Sequence, residues 1–238
     1  MFFPLFYGPY LWLFLITAVI LGAASARVRR TYRKWSGVRN ATGMTGHQVA
    51  RRILDSTGLT HVGIDIIEGE LTDNYDPQSK VLNLSQGVAY NASVASEGIV
   101  AHEIGHAVQD ARGFLPMRAR AAVLPAANIG SQAGPLIIIL GLILMGFRAV
   151  NLGFDIALLG LALYAMILLF HVVTFPVEFD ASRRAMGLLR ANGIVNEQDV
   201  DGARAVLTAA ALTYVAAIAV STLQVGFWAL QVFGGRRD

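Results

Sequence analysis

The run His102-Glu103-Ile104-Gly105-His106 fits H-E-x-x-H. On a helix, residues four apart share a face, so both imidazoles can reach one ion. Glu103 is offset from His102 by about 100°, close enough to hold a water at that ion rather than bind the ion itself. The chemistry implied is metal-assisted hydrolysis. Zinc lowers the pKa of the water toward neutrality, and Glu103 takes the proton and passes it to a leaving amine. His102 and His106 are thus the expected metal ligands and Glu103 the expected catalytic base. The competing reading is a surface helix with two unrelated histidines.

Two imidazoles leave a catalytic zinc one protein ligand short. The chain has no cysteine, so the missing ligand must be His or a carboxylate. A short-spaced metzincin would need His at position 112, where Arg112 stands. His47 and His61 lie in polar segments, where a lone His is more often only solvated. His171 falls within a long apolar stretch. There an ionisable residue marks function or makes an interhelical hydrogen bond, the two readings being about equal. Glu178 is the better third ligand, because it follows Pro176 at the point where charges resume after that stretch. The alternative for Glu178 is an interfacial carboxylate paired with Arg. Asp180 points to another helix face and can pair with Arg183 or Arg184, as a supporting or structural group. Asp110 lies one turn past His106, placed to orient an imidazole or simply to be solvated. One zinc per chain is expected, although two imidazoles and a carboxylate would also accept cobalt or manganese.

Several elements must position these groups. Of the 238 residues, 55% are hydrophobic and only 15% charged, against roughly a quarter charged in a soluble domain. The charges gather between long uncharged stretches, which is the pattern of a membrane protein. Four spans of about 20 residues are expected, at 4–26, 131–149, 155–176 and 207–231. Gly130, Gly134 and Pro135 interrupt the second. Ala24-Ser25-Ala26 resembles a cleavage site, but no basic segment precedes the first span, which favours an uncleaved anchor. Arg27, Arg29, Arg30, Arg33 and Lys34 follow span one, and Arg183, Arg184, Arg190 and Arg204 lie between spans three and four. Arg148 is the only basic residue at the junction of spans two and three, and Arg236 and Arg237 lie in the C-terminal tail. The positive-inside rule then puts residues 27–128 and 178–205 in the cytoplasm. A net charge of +3 concentrated in such runs is a topology signal and gives no reason to expect nucleic acid.

Residues 34–120 are the only polar region long enough for a small domain. Residues 46–56 read as a helix ended by Gly58. Residues 62–71 and 80–84 read as strands joined as a hairpin through the turn formers at 72–77. Ser93 or Ser96 can cap the H-E-x-x-H helix, which Gly113 and Pro116 stop near Arg112. Residues 178–204 read as helix to Leu189, a break at Asn192-Gly193, and a restart near Asn196.

Several runs together resemble the YugP-like family of bacterial membrane zinc metallopeptidases. They are Leu71-Thr72-Asp73-Asn74-Tyr75-Asp76-Pro77, Val81-Leu82-Asn83-Leu84-Ser85 and Ala101 through Gln109. Pro176-Val177-Glu178-Phe179-Asp180-Ala181 and Ala210 through Ala216 also belong to the resemblance. A more distant similarity links the chain to gluzincins of the HtpX and Ste24 kind, which add a downstream Glu in an E-x-x-A-D-like helix. Glu178 and Ala181 match that pattern, and Ser182 stands where it has Asp. By the same analogy, residues 81–85 form either an exposed edge for a substrate strand or a plain structural strand.

The expected fold is a mainly α membrane protein with four transmembrane helices and a small α+β zincin-like cytoplasmic domain. Helix one occupies 1–26, the cytoplasmic domain 27–128, helices two and three 129–177, a cytoplasmic helical segment with the third ligand 178–205, and helix four 206–233. The expected function is a zinc metallopeptidase of the bacterial inner membrane, acting at the cytoplasmic surface on membrane-associated proteins or peptides. An intramembrane protease of the site-2 type is disfavoured, because Glu97, Asp110 and Arg112 bracket the motif too closely for a span. A zinc-stabilised membrane scaffold without proteolytic activity is the alternative, and Glu103 separates them, since an inert site needs no base. Glycines at 130, 134 and 141 would let helices pack within one chain, in a homo-oligomer, or against a membrane-protein partner.

Overall fold

The computed structural model describes residues 4–234, so Arg236 and Arg237 of the topology argument lie outside the described residues. The elements in chain order are α1 (Pro4–Ser36), α2 (Gly46–Ser56), β1 (Gly63–Ile67), β2 (Asn74–Asp76), β3 (Val81–Ser85), α3 (Gln86–Ala89), α4 (Val94–Ala111), α5 (Leu115–Gly146), α6 (Val150–Ala191) and α7 (Glu197–Gly234). They divide into two units, and every boundary between the units falls inside one of the four long helices.

The first unit takes its helices from residues 1–23, 118–175 and 214–238. α1, α5, α6 and α7 are each long and apolar enough to cross a membrane. Large apolar side chains such as Trp12, Leu136, Leu159 and Leu230 face outward, as a lipid-facing surface requires. The interruptions expected in span two do not break it, for α5 runs unbroken through Pro125 and Pro135. The glycines serve close packing instead. A Cβ on Gly130 would collide with the Leu163 carbonyl oxygen, and one on Gly141 with the Ala157 backbone nitrogen. Small residues thus let α5 and α6 meet backbone to backbone, the usual solution where no water drives association. His171 bonds Ser221 Oγ across helices at 3.2 Å, so it takes the interhelical role.

The second unit, residues 24–117 and 176–213, is built around α4. α2 begins with a capping box, in which Thr45 and Gln48 exchange side-chain and backbone hydrogen bonds. It ends before Gly58 in the left-handed region at φ +76°. Ser93 caps α4 through the Ser96 N–H. α4 is buried nearly throughout, packing against α2, α3, β2 and β3. Val94, Val100, Ala101 and Ile104 are fully enclosed, together with Ile53, Leu54, Leu82, Leu84 and Leu189.

The sheet corrects two expectations. Its order is β1-β3-β2, with β1 parallel and β2 antiparallel to β3. The expected hairpin between residues 62–71 and 80–84 is therefore absent. The first run stops at Ile67, and Gly69 (φ +109°) and Leu71 (φ +58°) reverse the chain into β2. A second reversal, braced by Asp76 accepting from the Gln78 N–H and the Ser79 hydroxyl, leads into β3. Two reversals restore the direction of β1, which makes β1 and the central strand β3 parallel. Residues 81–85 are the central strand, paired on both sides, and cannot be the exposed edge expected by analogy.

Candidate metal centre

α4 and α6 meet in direct backbone contact at the candidate site. A Cβ on Gly105 would lie 2.7 Å from the Ala181 carbonyl oxygen and 3.1 Å from its Cα. This approach, available only to glycine, sets the histidines one turn apart on α4 beside Glu178, one turn before Ser182 on α6. Glu178 Oε2 stands 3.2 Å from His102 Nε2 and 3.4 Å from His106 Nε2. The three residues' donor atoms lie within 4.8 Å of one another. Ligands about 2.1 Å from a tetrahedral zinc are themselves about 3.4 Å apart, so the two distances from Glu178 and the chemistry of the donor set fit that ion. His47, His61 and His171 do not join the group, which is the one such cluster found among the described residues.

Each imidazole is held from behind. His102 Nδ1 pairs with Ser182 Oγ at 3.2 Å, so the residue that departs from the distant family's Asp still reaches a histidine. His106 Nδ1 pairs with Gln109 Oε1 at 3.0 Å. Gln109 Nε2 donates to the Val177 carbonyl at 2.8 Å and to Asp180 Oδ2 at 3.0 Å. Asp180 also accepts from Arg183 and Arg184. Asp180 therefore stands behind the site through Gln109, in addition to its expected arginine pairing. Asp110 does not orient an imidazole. It accepts from the Tyr75 hydroxyl at 2.7 Å and from Lys80 Nζ, tying α4 to the β2–β3 hairpin. The reason is geometric: the turn after His106 presents Gln109, three residues on, toward α6, and presents Asp110 toward the sheet.

Glu103 lies between these groups and the sheet. Its Oε2 accepts the backbone N–H of Tyr75 on the edge strand β2 at 3.1 Å. Burial pushes its carboxyl above the ordinary range, the two imidazoles oppose this, and Glu178 and Asp73 add to the rise. Burial also pulls Glu178 upward, but hydrogen bonds from His102 and His106 outweigh it and hold that carboxyl well below the usual range. A divalent ion needs Glu178 ionised, and on binding it would take the place of the Nε2 protons that the imidazoles donate to that carboxylate. Gln109, Ser182 and Tyr75 were not assigned to the site from sequence. The spacing of Gln109, three residues past His106 on a helix, was the available signal.

A protein family described as "putative neutral zinc metallopeptidase" matches residues 10–232. The chain belongs to this family. It is also 35% identical over 215 residues to a Bacillus subtilis (strain 168) protein described as "putative membrane protease YugP", covering 90% of this chain and 92% of that one. No solved structure matches. Membership in a zinc metallopeptidase family implies zinc, and His102, His106 and Glu178 form a group able to hold it. The resemblance to YugP-like proteins noted on individual motifs thus extends over nearly the whole chain.

Proposed function

We propose that this family member is a membrane-anchored zinc metallopeptidase that cleaves membrane-associated proteins or peptides at the cytoplasmic face. In this reading His102, His106 and Glu178 hold one zinc ion and Glu103 is the general base, an arrangement of the gluzincin type. The observation that carries it is the convergence of two imidazole nitrogens and one carboxylate oxygen from helices far apart in sequence. Bound zinc supplies Lewis acidity to a water and to the carbonyl of the scissile bond. The remaining work falls to the chain. Ser182 and Gln109 hold the two rings so that Nε2 of each faces Glu178. The Tyr75 N–H fixes one oxygen of Glu103. A carboxyl raised by burial is closer to the operating pH, as a group that takes a proton and then donates it requires. The cytoplasmic placement is supported by the arginines at 183, 184, 190 and 204 and the basic run after residue 26.

Metal analysis of the purified full chain in detergent, with casein as probe substrate, tests the reading. Wild type is expected to hold one zinc per chain, Glu178→Ala to lose it, and Glu103→Gln to keep it while casein cleavage disappears. A wild-type protein without stoichiometric metal would sink the proposal. Full biological activity of Glu103→Gln would favour the zinc-stabilised scaffold instead.

A further inference from the structure

We propose that Gln109 is a positioning residue that forces His106 to present Nε2, not Nδ1, to the metal, and that a chain of donors beginning at Arg183 and Arg184 fixes its orientation. The inference rests on the metallopeptidase reading above and assigns a role to residues outside the ligand set. Its basis is the polarity of each hydrogen bond. Guanidinium groups only donate, so Asp180 accepts from Arg183 and Arg184. The Asp180 carboxylate and the Val177 carbonyl can only accept, so the Gln109 atom facing both must be its amide nitrogen. That leaves the Gln109 oxygen against His106 at 3.0 Å. An amide oxygen only accepts, so His106 Nδ1 must carry a proton. In the neutral ring that a metal ion requires, the lone pair then resides on Nε2, the nitrogen that points toward Glu178. Gln109 is fully buried. Turning its amide over would set its oxygen against the Val177 carbonyl and the Asp180 carboxylate, two acceptor–acceptor contacts within the enclosed site, a cost that holds the orientation in one sense. Ser182 cannot act in this way on His102, because a hydroxyl serves as donor or acceptor with equal ease. The two ligand histidines are therefore held by different means, and His106 is the one whose tautomer is dictated.

The test compares Gln109→Met with Gln109→Glu in the full chain, reading zinc affinity by chelator competition, the zinc-ligating nitrogen by 15N NMR of labelled histidine, and thermal stability. Gln109→Met keeps the side chain's bulk but offers no acceptor. It is expected to weaken zinc 10- to 100-fold and to give mixed Nδ1 and Nε2 ligation at His106. Gln109→Glu keeps an acceptor for Nδ1–H and is expected to retain Nε2 ligation, even though it loses donors to Val177 and Asp180 and melts lower than wild type. A role in packing alone predicts that zinc loss follows stability loss in both variants. That result would overturn the proposal, as would unchanged zinc affinity in Gln109→Met. Should Gln109→Met fail to fold, the wild-type and Gln109→Glu spectra still decide it, since zinc on Nδ1 of His106 in either one refutes the assignment. A wild-type protein that binds no zinc would instead overturn the metallopeptidase reading, a failure visible before any variant is made.

Discussion

Glu97 lies on α4 five residues before His102, fully buried, and neither carboxyl oxygen has a hydrogen-bond partner among the described residues. Burial pushes its pKa up to about 8, and the negative charge of nearby Asp199, which caps the Ala41 N–H, adds to the rise. The folded protein therefore holds a proton that the unfolded chain, with a carboxyl near 4.5, releases. Between those two values the folded state binds more protons, so stability falls as pH rises. Well below pH 8 each pH unit in this window costs about 1.4 kcal/mol, and the slope lessens as the folded carboxyl itself begins to ionise, so the two units from pH 6 to pH 8 cost about 2 kcal/mol. Glu97→Gln puts a neutral amide of the same shape in place of the neutral acid. It should change little at pH 6 and should remove the decline above it. For a chain of this size the difference amounts to roughly 4–8 °C in Tm. The assay is thermal unfolding of both proteins in detergent at pH 6, 7 and 8. Because α4 carries His102 and His106, zinc loss at pH 8 should also be slower in the variant. Parallel pH profiles for the two proteins would refute the assignment of Glu97 as a buried neutral acid.

Gly105→Ala forces a Cβ into the backbone of Ala181. It should destabilise the fold by about 1–3 kcal/mol and lower zinc affinity at least tenfold by parting the histidines from Glu178, measured by melting and chelator competition. Asp110→Asn should leave zinc affinity within about threefold, because Asp110 holds Tyr75 and Lys80 and no imidazole. Its cost should appear in Tm, at the level of one charge-assisted hydrogen bond, about 1.5–3 kcal/mol. The absence of native cysteine permits topology mapping with single introduced thiols. A membrane-impermeant maleimide should label Asn151→Cys in intact cells and Gln78→Cys only after lysis, and the opposite pattern would reverse the proposed orientation.

What the sequence disclosed and what it hid follow from the range of the interactions involved. The helix at residues 46–56 was legible to the residue because its signals are local: Val49, Ile53 and Leu54 at helical spacing and Gly58, which takes the left-handed region. The apolar stretches are equally local, and four long helices contain them. The sheet was misread because its topology depends on one extra reversal at Gly69 and Leu71, where Leu71 takes a positive φ that its side chain gives no reason to expect. Pro135 and the glycines around it read as interruptions, since a one-dimensional reading counts the missing hydrogen bond and cannot see the α6 backbone that the glycines admit. The site divides in the same way. The paired histidines follow from helical periodicity alone. Glu178 could be nominated by ligand count, but its place beside them depends on Gly105 and Ala181 meeting backbone to backbone. The supporting shell was least legible. Asp110 lies four residues past His106 and Gln109 three, so spacing does not separate them, and direction decides: α6 approaches from the side of Gln109 and the β2–β3 hairpin from the side of Asp110. Periodicity gives the spacing of groups on one helix, and only the neighbouring elements determine which of them becomes part of a site.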